Sequence, residues 1–391
     1  MEKIYLTPGP VRLPPVVIKS LGRDIVSHRS EEFHKIYASI KERLRKVFKT
    51  SGEVVVINAS GTGGVEAALL TLINSKDRVL VPIYGEFCRR GADILERAGK
   101  NVKRSRIEIG RVPSVEDIKK ELEDGKYNYI FLIHNETSTG VVLRNLSEIS
   151  HICKEKGVRV IVDSVSGLCG EYLDMEKWNV DVCISASQKC VAGPPGLSFI
   201  ALSQEIEEII ERRKNISPST YLDLYKILQY SKKNETPFTS AIHLFYGLKA
   251  ALEILEEERL DRRIRRHKIN ADTLRALFHM IEIEGYSKDV VFSSNTVIVG
   301  KLGDKYADLR RRLMNEYGIV VAGKIGMIKD NIVRVGNMGI VGPYEIEKFS
   351  RAIGSISEKE ESSRRIYEEY LKEFQKLYEG FDLLSELFGE V

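Results

Sequence analysis

From about residue 50 to about residue 215, short apolar runs alternate with stretches in which apolar residues recur at helical spacing. The runs EVVVINA (53–59), RVLVP (78–82), YNYIFLIHN (127–135), GVRVIVD (157–163), VDVCISA (180–186) and GLSFIAL (196–202) predict strands. They are nearly continuously apolar, as strands covered on both faces are. Helices are predicted between them over 63–73, 87–98, 114–123 and 146–156. Strands separated by helices imply an α/β architecture built on a largely parallel, doubly wound sheet.

Further along, the longest helical run begins near Ala241 and continues past Arg266. Its first half, HLFYGLKAALEIL, is apolar at helical spacing, and its second half, EEERLDRRIRRH, is densely charged. A helix that leaves one core to reach another domain reads this way, and the change of character marks a candidate break. Beyond residue 270 a smaller pattern starts, with strands over NTVIVG (295–300) and NIVRVG (331–336) and a helix over ADLRRRLMNEY (307–317). The expected organisation is a large α/β domain over 15–265 and a small α+β domain over 266–357 joined by the N-terminal segment 1–14. A charged, amphipathic extension follows over 358–391, with Tyr367, Tyr370, Leu371, Phe374 and Leu377 at near-helical spacing. It reads as a docked surface or interface helix.

The chain has 391 residues, enough for two domains with a sizeable core. Its 60 basic and 56 acidic side chains leave a net charge of only +4, too small and too dispersed to point to nucleic acid. The five cysteines, Cys88, Cys153, Cys169, Cys183 and Cys190, form no CxxC pair, so no zinc or other metal site is expected. They fit a reduced, cytoplasmic protein. The first residues, MEKIYLTPGP, lack a signal-peptide core, and no apolar run approaches the ~20 residues of a membrane span.

In parallel α/β sheets, ligands bind beyond the carboxyl ends of the strands. Four such ends here carry reactive or permissive groups. EVVVINA is followed by Ser60-Gly61-Thr62-Gly63-Gly64, and YNYIFLIHN by Glu136-Thr137-Ser138-Thr139-Gly140. GVRVIVD ends on Asp163, and VDVCISA leads into Ser187-Gln188-Lys189. The glycine-rich turn opens a predicted helix whose free N–H groups would hold phosphate, although a plain tight turn would look the same. Asp163 reads either as a structural cap or ion-pair partner, or as the counter-charge of a protonated pyridine nitrogen. Lys189, flanked by small and apolar residues in ASQKCVAGPPG, is either structural or a buried amine with a depressed pKa, usable as nucleophile and base. An amine and an acid placed together meet the needs of pyridoxal phosphate.

With these groups in place, the chain resembles the class V, fold-type I aminotransferases of the alanine–glyoxylate and serine–pyruvate group. The motifs LTPGPVRLPP, SHRSEEF, ASGTGGVEAAL, YGEFCRRGADILERAG, NETSTGV, VDSVSGL, ASQKCVAGPPGLSF, YLDL, ETPFTS and VRVGNMG stand in the family order over about residues 4–355. The resemblance implies a mostly parallel seven-stranded large domain and a smaller C-terminal α+β domain. It implies pyridoxal 5′-phosphate as cofactor and a homodimer with shared sites. It also implies ping-pong transfer of an amino group from serine or alanine to pyruvate or glyoxylate.

By the same resemblance Lys189 carries the cofactor and Asp163 faces the pyridine nitrogen. Val165 presses on one face of the ring and Phe87 on the other. Thr62, Gly63, Gly64 and Gln188 line the phosphate, with Ser187 a weaker candidate, and Thr137 sits on the hydroxyl side of the ring. Thr236 reaches the neighbouring subunit's phosphate, Arg334 grips the substrate α-carboxylate, and the backbone at Gly9 closes over the substrate. Two positions depart from many relatives: Asn337 stands where they carry His, and Phe87 where some carry Trp. Both are expected close enough to the pocket to affect substrate choice. His28 and Arg29 read as pocket-mouth groups or as ion-pairing residues, and His134 as a structural histidine.

Other readings remain at this point. Phosphonate, aspartate or purine-pathway specificities belong to the same class. A cysteine desulfurase or lyase is disfavoured because no cysteine follows Cys190, and a non-catalytic homologue would need neither Lys189 nor Asp163. No GxGxxG follows the first strand, which disfavours a dehydrogenase.

Overall fold

The computed structural model describes residues 3–214, 217–381 and 387–388. Its centre is a seven-stranded sheet in the order Val54–Ile57, Ser198–Leu202, Val182–Ala186, Arg159–Asp163, Tyr129–Ile133, Arg78–Ile83, Asn101–Arg106. Ser198–Leu202 runs antiparallel to both of its neighbours, and the other pairings are parallel. Val54–Ile57, Tyr129–Ile133, Val182–Ala186 and Ser198–Leu202 are buried along their whole length, because helices cover both faces, and Arg159–Asp163 and Arg78–Ile83 are half-buried only at their ends. The six apolar runs all became strands. The seventh, Asn101–Arg106, escaped the pattern because NVKRSR is an edge strand that keeps its charged side chains in or near water.

The helices between the strands fall within two residues of their predicted limits. Where the ends are defined by chemistry, the caps are visible. Ser114 and Asp117 form a reciprocal capping box at the start of Val115–Asp124, and Ser30 caps Glu31–Phe48 by accepting from the Phe33 N–H. The long helical run does break: Ile242–Glu258 and Leu260–Met280 meet at Arg259, whose φ is +70°.

A second, smaller core lies beyond this break. The strands Glu284–Gly285, Val297–Lys301 and Ile332–Gly336 form an antiparallel sheet. The N-terminal strand Ile4–Leu6 pairs in parallel with Ile319–Val321 beside it. Helix Glu360–Leu377 docks on this core through Tyr370 and Phe374, which are buried, and its C-cap Tyr378 continues the same aromatic row.

Behind the Lys189 loop a charged cluster is fully buried. Glu258 accepts from Arg263 and from Arg266, and the Tyr378 hydroxyl donates to the same carboxylate at 2.5 Å. Arg263 also donates to the Cys190 carbonyl at 2.9 Å, and Arg266 to the carbonyls of Gly339 and Val341. Buried charge is tolerable only with this degree of pairing. Among the described residues no helix is long and apolar enough to cross a membrane.

Candidate active site

Because the strands ending at Ile57, Ile133, Asp163 and Ala186 point the same way, the segments that follow them meet at one edge of the sheet. The approach is close. A Cβ on Gly61 would come within 2.8 Å of Val165 and 3.3 Å of Ala186, so the glycine-rich turn can only lie here without a side chain. Asp163 is half-buried, and one of its oxygens accepts from the Val165 N–H at 2.8 Å. Its other oxygen has no protein partner among the described residues.

Burial sets the electrostatics. Desolvation pushes the Asp163 carboxyl up to about 6, against the pull of the Val165 N–H and of Lys189. Desolvation lowers Lys189 to about 8, although Asp163 acts to raise it. An amine with so low a pKa has a sizeable neutral, nucleophilic fraction near neutral pH. Its Nζ donates to the carbonyl of Pro8, so the TPGP segment lies directly on it. Gly9 sits in the left-handed region at φ +90°, and the Val11 N–H donates to the Gln188 carbonyl at 3.2 Å, tying that segment to the lysine loop.

The helix Gly61–Leu72 begins without a side-chain cap, and the first N–H to bond within it belongs to Gly64. The N–H groups ahead of it therefore face outward, a geometry that binds anions. Gln188 buries its Oε1 with no partner among the described residues. Phe87, half-buried, is held by Glu136, to which the sequence pattern alone assigned no role. Glu136 is fully buried and accepts from the N–H groups of Phe87 at 2.9 Å and Cys88 at 3.2 Å. It also binds the Ser138 N–H and hydroxyl at 3.0 and 2.6 Å. The carboxylate thus anchors the first turn of helix Glu86–Arg97 at its positive end. The available signal was an acid opening the hydroxyl-rich ETSTG turn after an apolar strand.

Arg334 projects from Ile332–Gly336 and is 8% exposed. Its Nε donates to the Gly323 carbonyl at 2.7 Å and its Nη1 to the Thr137 carbonyl at 3.2 Å. These bonds fix the plane of the guanidinium and leave Nη2 without a partner among the described residues, as a carboxylate grip requires.

Three groups take other places. Thr236 is buried in its own loop, where its hydroxyl donates to the Phe238 carbonyl at 2.7 Å and bonds to Ser240. Arg29 clamps that loop through Glu235 and the Thr236 carbonyl, both at 2.7 Å, so it acts as an ion-pairing residue rather than at a pocket mouth. Asn337 does not face the pocket. Its amide donates to the carbonyls of His267 and Asn295 and its oxygen accepts from Asn270, all within 2.7–2.8 Å, in a fully buried junction. The expectation that it affects substrate choice by proximity is corrected accordingly. His134 is buried, bonded to Ser164 at 2.9 Å and pushed down to about 3 by desolvation, so it stays neutral.

The donor set suits pyridoxal 5′-phosphate. An outward-facing helix start can receive phosphate. An Asp163 oxygen without a protein partner can accept from a ring N–H, and Lys189 offers an amine of depressed pKa.

Comparison with known proteins agrees with this geometry. The model of the family described as aminotransferase class-V matches residues 18–327. An uncharacterized aminotransferase of Methanocaldococcus jannaschii is 34% identical over 353 residues, covering 88% of this chain and 90% of its own. An alanine–glyoxylate aminotransferase of Callithrix jacchus is 30% identical, covering 86% and 83%. The crystal structure of a ureidoglycine–glyoxylate aminotransferase from Bacillus subtilis superposes with a TM-score of 0.86 at 26% identity, over 94% of this chain and 98% of that one. Fold, strand-end chemistry and similarity converge, and the chain belongs to the class V aminotransferase family.

Proposed function

We propose that this aminotransferase uses pyridoxal 5′-phosphate held by Lys189 and moves an amino group from alanine or serine to glyoxylate or pyruvate. The observation that carries the reading is the meeting of Lys189, Asp163 and the uncapped Gly61 helix start at one sheet edge. Similarity to an alanine–glyoxylate and a ureidoglycine–glyoxylate enzyme supports glyoxylate as acceptor.

When bound, the cofactor supplies an electron sink for the pair left at the substrate Cα. The protein's own groups do the rest. Gly63, Gly64, Thr62 and Gln188 hold the phosphate, and Asp163 keeps the ring nitrogen protonated. Val165 and Phe87 would confine the ring, and Thr137 would serve its hydroxyl side. Arg334 Nη2 binds the substrate α-carboxylate, which places the Cα proton near Lys189. The Lys189 Nζ would act as the base that takes the substrate Cα proton and as the acid that returns it. Pro8 and Gly9 cover this amine and limit the access of water. Two copies are proposed to share their sites, with Thr236 presented to the partner. The division into a large domain to residue 265 and a small one to residue 357 belongs to the same reading. Five free, buried cysteines support a reducing, cytoplasmic setting.

A donor–acceptor matrix with purified protein tests the proposal. Alanine or serine with glyoxylate or pyruvate should give the highest kcat/KM and parallel double-reciprocal lines. A preference for aspartate or a phosphonate donor, or intersecting lines, would overturn it.

A further inference from the structure

Two neighbouring arginines on helix Glu86–Arg97 differ sharply. Arg89 is saturated, donating to Glu86 at 2.5 Å and to Asp93 at 2.7 Å. Arg90, one position on, has no carboxylate within ion-pair distance among the described residues. Its guanidinium lies over the Phe87 ring, 4.7 Å from the centroid, and its Nη1 comes within 3.4 Å of the Thr62 hydroxyl. Glu66 and Asp93 line the same cleft, yet Asp93 is committed to Arg89 and Arg104 and Glu66 stays beyond ion-pair reach.

Its surroundings place this unpaired cation beside the uncapped helix start. Thr62 is the second residue of the uncapped helix and is itself exposed. Arg90 is close enough to both Lys189 and Asp163 to act on their ionisation. Its anchor is fixed, because Glu136 holds the helix turn that carries Phe87, and Arg90 follows Phe87 by three residues on the same face. A guanidinium left without a carboxylate, stacked on a fixed ring and aimed at a row of outward N–H groups, is built to receive an oxyanion with planar, bidentate geometry.

We propose that Arg90 is a ligand of the cofactor's phosphate, in addition to Thr62, Gly63, Gly64 and Gln188. It completes the charge neutralisation that backbone N–H groups alone provide only in part. The cation–π contact with Phe87 parks the side chain beside the phosphate position, so little rotamer freedom is lost when the phosphate arrives. Arg90 thereby couples the ring-stacking wall to the phosphate end of the site. This inference rests on the cofactor reading above.

The test measures binding rather than turnover. Apoprotein, either wild type or Arg90→Gln, is titrated with pyridoxal 5′-phosphate and separately with pyridoxal, which lacks the phosphate. Arg90→Gln should weaken pyridoxal 5′-phosphate about 10- to 100-fold, the worth of a charge-assisted contact, and leave pyridoxal within about twofold. Arg90→Lys should fall between, since a lysine keeps the charge but loses the fork. Equal affinity of wild type and Arg90→Gln for pyridoxal 5′-phosphate would overturn the assignment. So would an equal loss for both ligands, which would place Arg90's effect on the Phe87 wall. A rise in KM confined to dicarboxylic donors, with cofactor affinity unchanged, would reassign Arg90 to a substrate's distal carboxylate. Arg90 is partly exposed, and matching melting curves will show that the variants fold. Failure of the wild type to bind pyridoxal 5′-phosphate would instead remove the cofactor reading itself.

Discussion

Lys189 lies directly under Gly9: a Cβ added to the glycine would come within 2.7 Å of both the Nζ and the Cδ of the lysine. The φ of +90° at Gly9 adds a second obstacle to any side chain. Gly9→Ala should therefore push the amine away from its position or lift the TPGP segment off it, at a strain cost of about 1–2 kcal/mol. The expected outcome is a drop in kcat of about tenfold or more with a small loss in melting temperature. Unchanged kcat would show that the segment does not control the lysine.

The depressed pKa of Lys189 gives a pH prediction. Only the neutral amine attacks a carbonyl, and its fraction rises with pH until the pKa is passed. With burial lowering Lys189 to about 8, the rate of cofactor capture by apoprotein should climb about tenfold per pH unit below 8 and level off above it. A lysine at its ordinary value of 10.5 would keep climbing well past pH 9. Stopped-flow absorbance distinguishes the two profiles.

Much of this site was legible in the residues, and the reasons are physical. Strands covered on both faces are apolar throughout, so YIFLI, VCISA and SFIAL announced themselves, and so did VVVI, which lies at the sheet edge but is fully buried. The residues at and just after their carboxyl ends had to lie at the sheet's ligand edge, which pointed to Asp163 and Lys189. Asn101–Arg106 was hidden because this edge strand leaves its charged side chains exposed or half-buried and so carries no apolar run. Glu136 was hidden because its role depends on reaching a helix start about 50 residues earlier in the chain. Asn337 was misread for a related reason. Its position beside Arg334 in VRVGNMG suggested the pocket, while the chain turns its amide into the junction with helix Leu260–Met280.

That placement makes Asn337 a stability residue. Replacing it with Ala strips partners from the carbonyls of His267 and Asn295 and from the Asn270 amide in a fully buried site. The variant should lose about 2–4 kcal/mol of unfolding free energy in urea. The ratio of kcat/KM between alanine and serine should stay within about twofold. A changed donor ratio with unchanged stability would return Asn337 to the pocket.

The C-terminal helix should matter for acid resistance. Burial alone would raise the Glu258 carboxyl, but Arg263 and Arg266, with hydrogen bonds from Arg266 and Tyr378, bring it down to about 2. A carboxylate whose folded pKa lies below its ordinary 4.5 stabilises fully above that value and loses the contribution as pH falls toward 2. Tyr378→Phe removes one donor, so it should cost about 1–3 kcal/mol at neutral pH and shift the acid-unfolding midpoint upward. Circular dichroism across pH 2–5 reads both effects. An unmoved midpoint would mean that Tyr378 does not support the buried charge.

Lys189 is proposed to hold the cofactor. Borohydride reduction of protein reconstituted with pyridoxal 5′-phosphate, followed by peptide mass mapping, tests it most directly. The expected result is a single stable adduct on Lys189 at near-stoichiometric yield, abolished in Lys189→Ala. A stoichiometric adduct on any other lysine, or bound cofactor with no reducible linkage, would contradict it.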